Sequence, residues 1–375
     1  MFLCNPFAGA FGLDIGDLSI KIAQMERRTP FLKRPYFELK KAYSVAVPPG
    51  YIINGEIQEL ELVREKLLFL LGHEDHREQI KDSWVVASLP EPKTFLKLLE
   101  IEIPPEEITE NDIIFHAQKH LPFDPSETYL DWQILDGKEC AINGQKISKV
   151  LIGAAPKIIA DSYTNLLESV GLGVMALEVE AVSLARAMIT SGKNYVGEAR
   201  AMLDLGATRS TLVIYDHGAI QFSTILNFSG ELLTTAIAQE LKLTHPQAEK
   251  LKIKNGISYD RKYPKYLKTV SGFVDELASE IKKSLFFYKE HFLETNPVTH
   301  ITLSGGGAGC LNLGSAIARK LKISATPGHP WKNLLNPEFE SKEDIDGLTM
   351  ASAIGLALRA AEDIFENEQK VCELN

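Results

Sequence analysis

Apolar and polar residues alternate through Phe11–Met25. Phe11 and Leu13 lead in, Asp14 and Gly16 supply a turn, and Ile20 and Ile22 lead out. That is the pattern of strand, turn, strand. Beyond a break at Gly50–Gly55 the spacing becomes helical, with Leu60, Val63, Leu67 and Leu71 on one face of Ile57–Leu71. Trp84–Leu89 is an apolar run closed by Pro90 and Pro92, as expected of a buried strand. Residues 91–156 read as an insertion, with a Pro104-Pro105 break, a helix over Thr109–His120 and strands over Thr128–Leu135 and Val150–Ala154. Helices are predicted over Lys157–Val170, stopped by Gly171, and over Ala181–Ile189, ahead of Gly192.

The opening pattern then recurs over Ala201–Tyr215. Leu13-Asp14-Ile15-Gly16 and Leu203-Asp204-Leu205-Gly206 are nearly the same tetrapeptide between alternating strands, which predicts two related halves. The second half continues with helices near Glu231–Leu241 and Pro246–Lys254 and a loop over Asn255–Pro264. A long helix follows, with the stripe Phe273, Leu277, Ile281, Leu285 and Tyr288, which reads as core. Strand His300–Leu303 runs into Ser304-Gly-Gly-Gly-Ala-Gly309 and a further helix, and a last helix covers Leu348–Ile364. The expected architecture is α/β. A first half spans 10–200 and holds the insertion at about 91–156. A second half spans 201–362 with a subdomain at about 231–298, and a charged tail covers 363–375.

Composition narrows this further. A chain of 375 residues exceeds one ordinary core, and 45% apolar with 24% charged residues is the balance of a soluble globular protein. A formal charge of −10 argues against nucleic-acid binding, which needs a clustered basic face. No run approaches the roughly 20 apolar residues that cross a bilayer, so direct membrane insertion is not expected. Met1–Gly12 lacks a basic region and reads as a lead-in rather than a signal peptide. Cys4, Cys140, Cys310 and Cys372 are scattered, which disfavours zinc and disulfides and suits a reducing cytoplasm. His116 and His120 lie four apart without the acid a zinc protease needs, and they read as solvent-facing. His73 and His76, and the acidic run Glu338–Asp346, read as solvated loops.

The two turns carry the candidate chemistry. A glycine after an apolar strand lets the backbone turn tightly and offer N–H groups to phosphate oxygens. An aspartate two residues earlier repels bare phosphate and makes sense only with a cation between them, and Mg²⁺ held through water is the usual arrangement. One Asp-x-Gly turn alone is ordinary hairpin chemistry. Two at the heads of matched halves point to a clamp on a triphosphate. Ser304-Gly305-Gly306-Gly307, after a strand and before a helix, is where the backbone would approach a ligand closely.

Two such hairpins with a late glycine-rich turn resemble the actin-like ATPase superfamily, whose fold is ribonuclease H-like. Within it the chain resembles the PilM family of type IV pilus assembly proteins, related to FtsA. The matching residues are Leu13-Asp-Ile-Gly with Ser19-Ile20-Lys21, Gly55-Glu-Ile-Gln, Gln118–Phe123 and Tyr129-Leu-Asp131. Ala248-Glu-Lys-Leu-Lys252, Leu303-Ser-Gly-Gly-Gly307 and Ile354-Gly-Leu-Ala-Leu-Arg359 complete the set. The resemblance implies ATP and Mg²⁺, with Asp14 and Asp204 on the hydrated metal. Gly16, Ser19 and Lys21 would form the first phosphate turn, and Gly206, Ala207 and Thr208 the second. Glu249 and Lys252 match positions near ribose and base, and Gly305, Gly306 and Gly307 those beside adenosine. Glu180 stands where the superfamily has a residue that orients the attacking water, though it also reads as a surface helix-start acid. Asp17 departs from the family, which has a small hydroxyl residue near the terminal phosphate.

The resemblance further implies a cytoplasmic scaffold with slow or no hydrolysis. It would be peripheral at the inner membrane through the N-terminal cytoplasmic tail of a PilN-like bitopic partner, bound with help from the insertion. Leu121, Phe123, Trp132 and the edge of Thr128–Leu135 are the materials for that groove, and self-association is compatible with the family. Two alternatives stay within the superfamily. An FtsA-like protein would anchor by an apolar, basic C-terminal helix, whereas Ala361–Asn375 is strongly acidic. A sugar kinase would need a general-base aspartate in a sugar pocket.

Overall fold

The computed structural model describes residues 7, 9–30, 34–72, 80–135, 141–142, 145–336 and 346–362. The His73–His76 loop, Glu338–Asp346 except its last residue, the tail 363–375 and Cys4, Cys140 and Cys372 lie outside the described residues. The first half runs β1 (Phe11–Ile15), β2 (Ser19–Arg28), β3 (Tyr36–Ala46), the short β4 (Ile52–Ile53) and β5 (Glu56–Ile57), α1 (Leu60–Leu70) and β6 (Trp84–Leu89). The insertion adds β7 (Phe95–Ile101), α2 (Glu110–Gln118), β8 (Thr128–Ile134), the short β9 (Ala141–Ile142) and β10 (Gln145–Lys146), and β11 (Ser148–Pro156). Then come α3 (Lys157–Ser169), β12 (Gly173–Val179) and α4 (Glu180–Met188). The second half runs β13 (Ala199–Leu205), β14 (Ser210–Asp216), β15 (Ala219–Leu226), α5 (Gly230–Leu241), α6 (His245–Asn255) and α7 (Tyr266–His291). It closes with β16 (Val298–Ser304), α8 (Leu313–Leu321) and β17 (Ser324–Pro327), before α9 (Ala351–Ala361).

These elements gather into two compact units. The first takes Met1–Pro90, Ile159–Ser191 and His329–Asn375, and the second takes Glu91–Ile158 and Gly192–Gly328.

In the first unit the sheet order is β12-β6-β1-β2-β3, with β12, β6 and β1 parallel and β2 and β3 antiparallel. All five residues of β1 are buried, as a central strand covered on both faces requires. The helix α9 lies on this strand so closely that a Cβ on Gly12 would stand 2.3 Å from the Ala357 nitrogen. It crosses α4 more closely still: a Cβ on Gly355 would fall 1.8 Å from the Ser183 carbonyl oxygen. The Ile354–Arg359 motif is therefore explained by packing. Arg359 ends it on the buried Glu178, whose carboxylate also takes two bonds from Arg186 at 2.7 Å.

The second unit has the order β17-β16-β13-β14-β15-β7-β11-β8. Its first five strands repeat the first unit's sheet strand for strand, two parallel steps followed by two antiparallel ones. The last three belong to the insertion. By chain order 91–156 interrupts the first half, yet its strands extend the sheet of the second. The insertion has its own core, where Leu99, Ile101, Ile113, Ala117, Val150 and Ile152 are buried. Leu130 and Trp132 pack against that cluster, so Trp132 is largely a core residue.

The helices fall where the periodicity places them, with ends moved by a few residues. The α7 stripe is interior at Leu277, Ile281 and Tyr288, joined by Tyr266, Val270 and Val274. The glycine run differs from expectation. Gly306–Gly309 forms a single 3₁₀ turn and α8 begins only at Leu313, because Gly305 takes a left-handed φ of 76° and the chain turns back against Leu205.

Candidate functional site

The two Asp-Gly hairpins have the same register. In the first, Leu13 pairs with Ile22, Asp14 with Lys21 and Ile15 with Ile20. In the second, Leu203 pairs with Leu212, Asp204 with Thr211 and Leu205 with Ser210. Each loop therefore holds four residues, 16–19 and 206–209. Each glycine lies against the backbone carbonyl three residues on: a Cβ on Gly16 would be 3.2 Å from the Ser19 oxygen, and one on Gly206 2.6 Å from the Arg209 oxygen.

In the first unit, Asp14 is 6% exposed. Its carboxylate accepts from the Lys21 ammonium at 3.0 Å and from the Ser88 hydroxyl at 3.0 Å. In the second unit, Asp204 accepts from the Ser304 hydroxyl at 2.8 Å. Both serines lie near the C-terminal end of the parallel strand beside their aspartate, Ser88 one residue before the end of β6 and Ser304 at the end of β16. Sequence reasoning missed Ser88 entirely and read Ser304 only as part of a glycine turn. The available signal was a serine placed directly after a small or apolar residue late in each parallel strand, Ala87-Ser88 and Leu303-Ser304. A hydroxyl donor on a carboxylate helps to fix its rotamer, as outer-shell partners do for metal-ligating carboxylates.

Other predicted residues of the second unit lie around its turn. Ala207 and Thr208 are exposed at the tip of the loop. The α5 N-terminus docks behind them, with Gly230 and Glu231 donating to the carbonyls of Gly206 and Ala207 at 3.1 and 2.9 Å. The Lys252 ammonium donates to the Gly230 carbonyl at 3.0 Å and pairs with Glu249 at 2.7 Å. Burial pushes the Glu249 carboxyl up, but hydrogen bonds from Lys252 and Thr234 outweigh it and hold it below the usual range. Gly305 and Gly307 press on Leu205, where added Cβ atoms would stand 2.6 and 2.7 Å from its atoms. The structure thus brings Asp204, Gly206, Ala207, Glu249, Lys252, Gly305 and Gly307 into one neighbourhood.

In the first unit, Gly16, Ser19 and Lys21 share the hairpin with Asp14. Glu180 opens α4 directly after β12, where Glu178 pairs with Ser88 and Val179 with Leu89. Glu180 therefore lies at the same end of the sheet as Asp14. Asp17 points elsewhere than its sequence position suggested: its carboxylate accepts from the backbone N–H groups of Asn54 at 3.2 Å and Gly55 at 3.0 Å.

Among the described residues, no group of three or more His, Cys, Asp and Glu could hold a metal ion by itself. Among the described residues no helix is long and apolar enough to cross a membrane.

A curated relative, the cell division protein FtsA of Streptococcus pneumoniae, is 21% identical over 264 residues, 66% of this chain and 56% of that protein. The chain thus spans little more than half the length of that relative. FtsA of Enterococcus faecalis is 26% identical over 109 residues, 29% of this chain and 24% of that protein. Among solved structures, the PilM–PilN type IV pilus biogenesis complex matches with a TM-score of 0.75 at 25% identity, over 96% of this chain and 100% of that one. MreB5 of Spiroplasma citri bound to ADP matches at TM-score 0.50 and 12% identity, over 99% of this chain and 100% of that one, a likeness of fold. The fold is actin-like. The family model for the type IV pilus assembly protein PilM matches residues 12–361, nearly the whole chain, and the chain belongs to that family.

Proposed function

We propose that this PilM-family chain binds ATP with Mg²⁺ through its two repeated turns and serves as a cytoplasmic scaffold in pilus assembly. In this reading it is peripheral at the inner membrane through the N-terminal tail of a PilN-like bitopic partner. The observation that carries the nucleotide part is the repetition of one device, an aspartate two residues before a tight glycine that accepts a hydrogen bond from a serine late in the neighbouring parallel strand. Such carboxylates are hard oxygen donors, the ligand type that hydrated Mg²⁺ takes. When bound, the ion neutralises phosphate charge.

Asp14 and Asp204 would hold that hydrated ion. Lys21, paired with Asp14, would share its charge with a phosphate, while Gly16, Ser19 and the backbone of Asp17 would line the first turn. Gly206, Ala207 and Thr208 would present the second turn. Glu249 and Lys252 would lie at ribose and base, and Gly305, Gly306 and Gly307 at adenosine. Glu180 is the group to orient a water, so Glu180→Gln should leave ATP affinity unchanged while lowering any turnover. The PilM–PilN complex supports the partner by likeness. The β8 edge, with Tyr129 51% exposed, supports the insertion as the place for the tail.

Calorimetry tests the nucleotide reading. Wild type should bind ATP at least tenfold more tightly with Mg²⁺ than without, and Asp14→Ala and Asp204→Ala should each remove most of that difference. Equal wild-type affinity with and without Mg²⁺ would overturn it.

A further inference from the structure

A second candidate site lies wholly within the second unit, where the insertion meets the repeated sheet. The strands β7 and β15 are bridged only at Lys97 and Phe222. Antiparallel continuation would set Leu96 opposite Ser223 and Phe95 opposite Thr224, but the strands part there and leave a groove of about 440 Å³. The helix α7 closes one wall with Lys283 and Phe287, and His120 stands at the rim beyond α2. Aromatic surface comes from Phe95, Phe222 and Phe287, the last of which is 39% exposed.

The charge of this groove is unusual for its chain. A protein with 50 acidic and 40 basic residues has carboxylates to spare, yet among the described residues none lines the groove. The half-buried Lys97 ammonium has the His120 ring nitrogen at 3.4 Å and the Phe292 ring at 5.9 Å as its neighbours. Among the described residues neither Lys97 nor Lys283 has a carboxylate within ion-pair reach. Burial lowers the Lys97 ammonium from its ordinary value, and burial together with Lys97 lowers His120. Removing a cation from water without a counter-charge is unfavourable, and an incoming carboxylate would supply the missing partner. Parted strands also offer main-chain groups to an extended segment, the geometry of strand addition.

We propose that this groove binds an extended segment of a protein partner in which an acidic residue adjoins a bulky apolar one. The carboxylate pairs with Lys97, with Lys283 at the mouth, and the apolar side chain lies against Phe287 and Phe95. The groove flanks β7, whereas the β8 edge is the opposite border of the insertion's three strands, so this site is separate from the tail-binding place proposed above and independent of nucleotide.

A displayed random heptapeptide library tests it with the full chain. The library is depleted on immobilised Lys97→Met protein, then selected on wild type, and the recovered peptides are synthesised for anisotropy titration. The expected result is a shared motif of Asp or Glu beside Leu, Ile or Phe. Affinity should drop at least tenfold in Lys97→Met and in Phe287→Ser and be largely kept in Lys97→Arg. Thermal melting controls for folding, and Lys97→Met should melt no lower than wild type because it removes a half-buried charge. Failure to recover any peptide, recovery of peptides without acidic residues, or equal affinity for Lys97→Met would overturn the proposal. So would a wild-type dimer in sedimentation that Lys97→Met dissolves, because the groove would then belong to a second copy.

Discussion

Asp17 shows how one side chain ties a turn to the rest of its unit. It is 5% exposed, and its carboxylate accepts the backbone N–H groups of Asn54 and Gly55. Gly55 is itself constrained, with a φ of 78° and a Cβ position only 2.2 Å from Pro90, and its carbonyl accepts from the Tyr163 hydroxyl at 2.9 Å. The first turn is thereby anchored to the β4–β5 hairpin and through it to α3. Replacing Asp17 by serine shortens the acceptor and leaves two N–H groups poorly satisfied, which should cost about 1–3 kcal/mol. Urea denaturation should show that loss, while the ratio of ATP to ADP affinity stays unchanged. A tighter preference for ATP would return the carboxylate to the terminal phosphate. The residue was visible in the sequence as a departure from its family. Its direction was not, because its partners lie 37 and 38 residues away.

At the scale of elements, the hairpins were legible because a strand-turn-strand period is local. The packing of helices on them was not, since it depends on pairs such as Ser183 and Gly355 that no period announces. Gly355→Ala should force α4 and α9 apart and destabilise by on the order of 3 kcal/mol, as overpacking does, read as a lower denaturation midpoint. A smaller effect, within about 0.5 kcal/mol, would mean the crossing relaxes freely. The β14–β15 turn carries a second such lock. The buried Asp216 accepts from the Tyr288 hydroxyl of α7 and from the backbone and side-chain nitrogens of Asn296, both at 2.9 Å. Burial raises the Asp216 carboxyl, but the Asn296 and Tyr288 hydrogen bonds prevail and set it below its ordinary value. A depressed folded value means the bonds stabilise above the unfolded value of about 3.9 and are lost as pH falls through the folded one. The stability gap between wild type and Asp216→Ala should therefore be full near pH 7 and narrow below pH 4. A gap that widens in acid would contradict the assignment.

At the scale of the whole chain, the repeated five-strand sheets make the insertion separable in principle. The insertion's β7 meets β15 at one bridged pair, and removing 91–156 returns the second sheet to the order its counterpart already has without any such addition. The insertion also brings its own core, so its removal should not empty that of either unit. The residues proposed to hold nucleotide all lie outside 91–156. Excision with a short glycine-serine linker should therefore leave ATP affinity within about threefold of wild type, less than 1 kcal/mol. The partner tail should behave differently, because Leu121, Phe123 and the outer strand β8 all leave with the deletion. Excision also bares Phe222 on β15, and an uncovered edge invites association, so the measurement belongs with a full-length companion, Tyr129→Lys with Ile134→Lys. Both side chains are exposed on β8 and can be charged without touching the core. Loss of tail-peptide binding in both proteins, with ATP binding kept in both, is the expected outcome. Wild-type tail affinity in the deletion would move the partner site out of the insertion and leave that domain to the acidic segment alone.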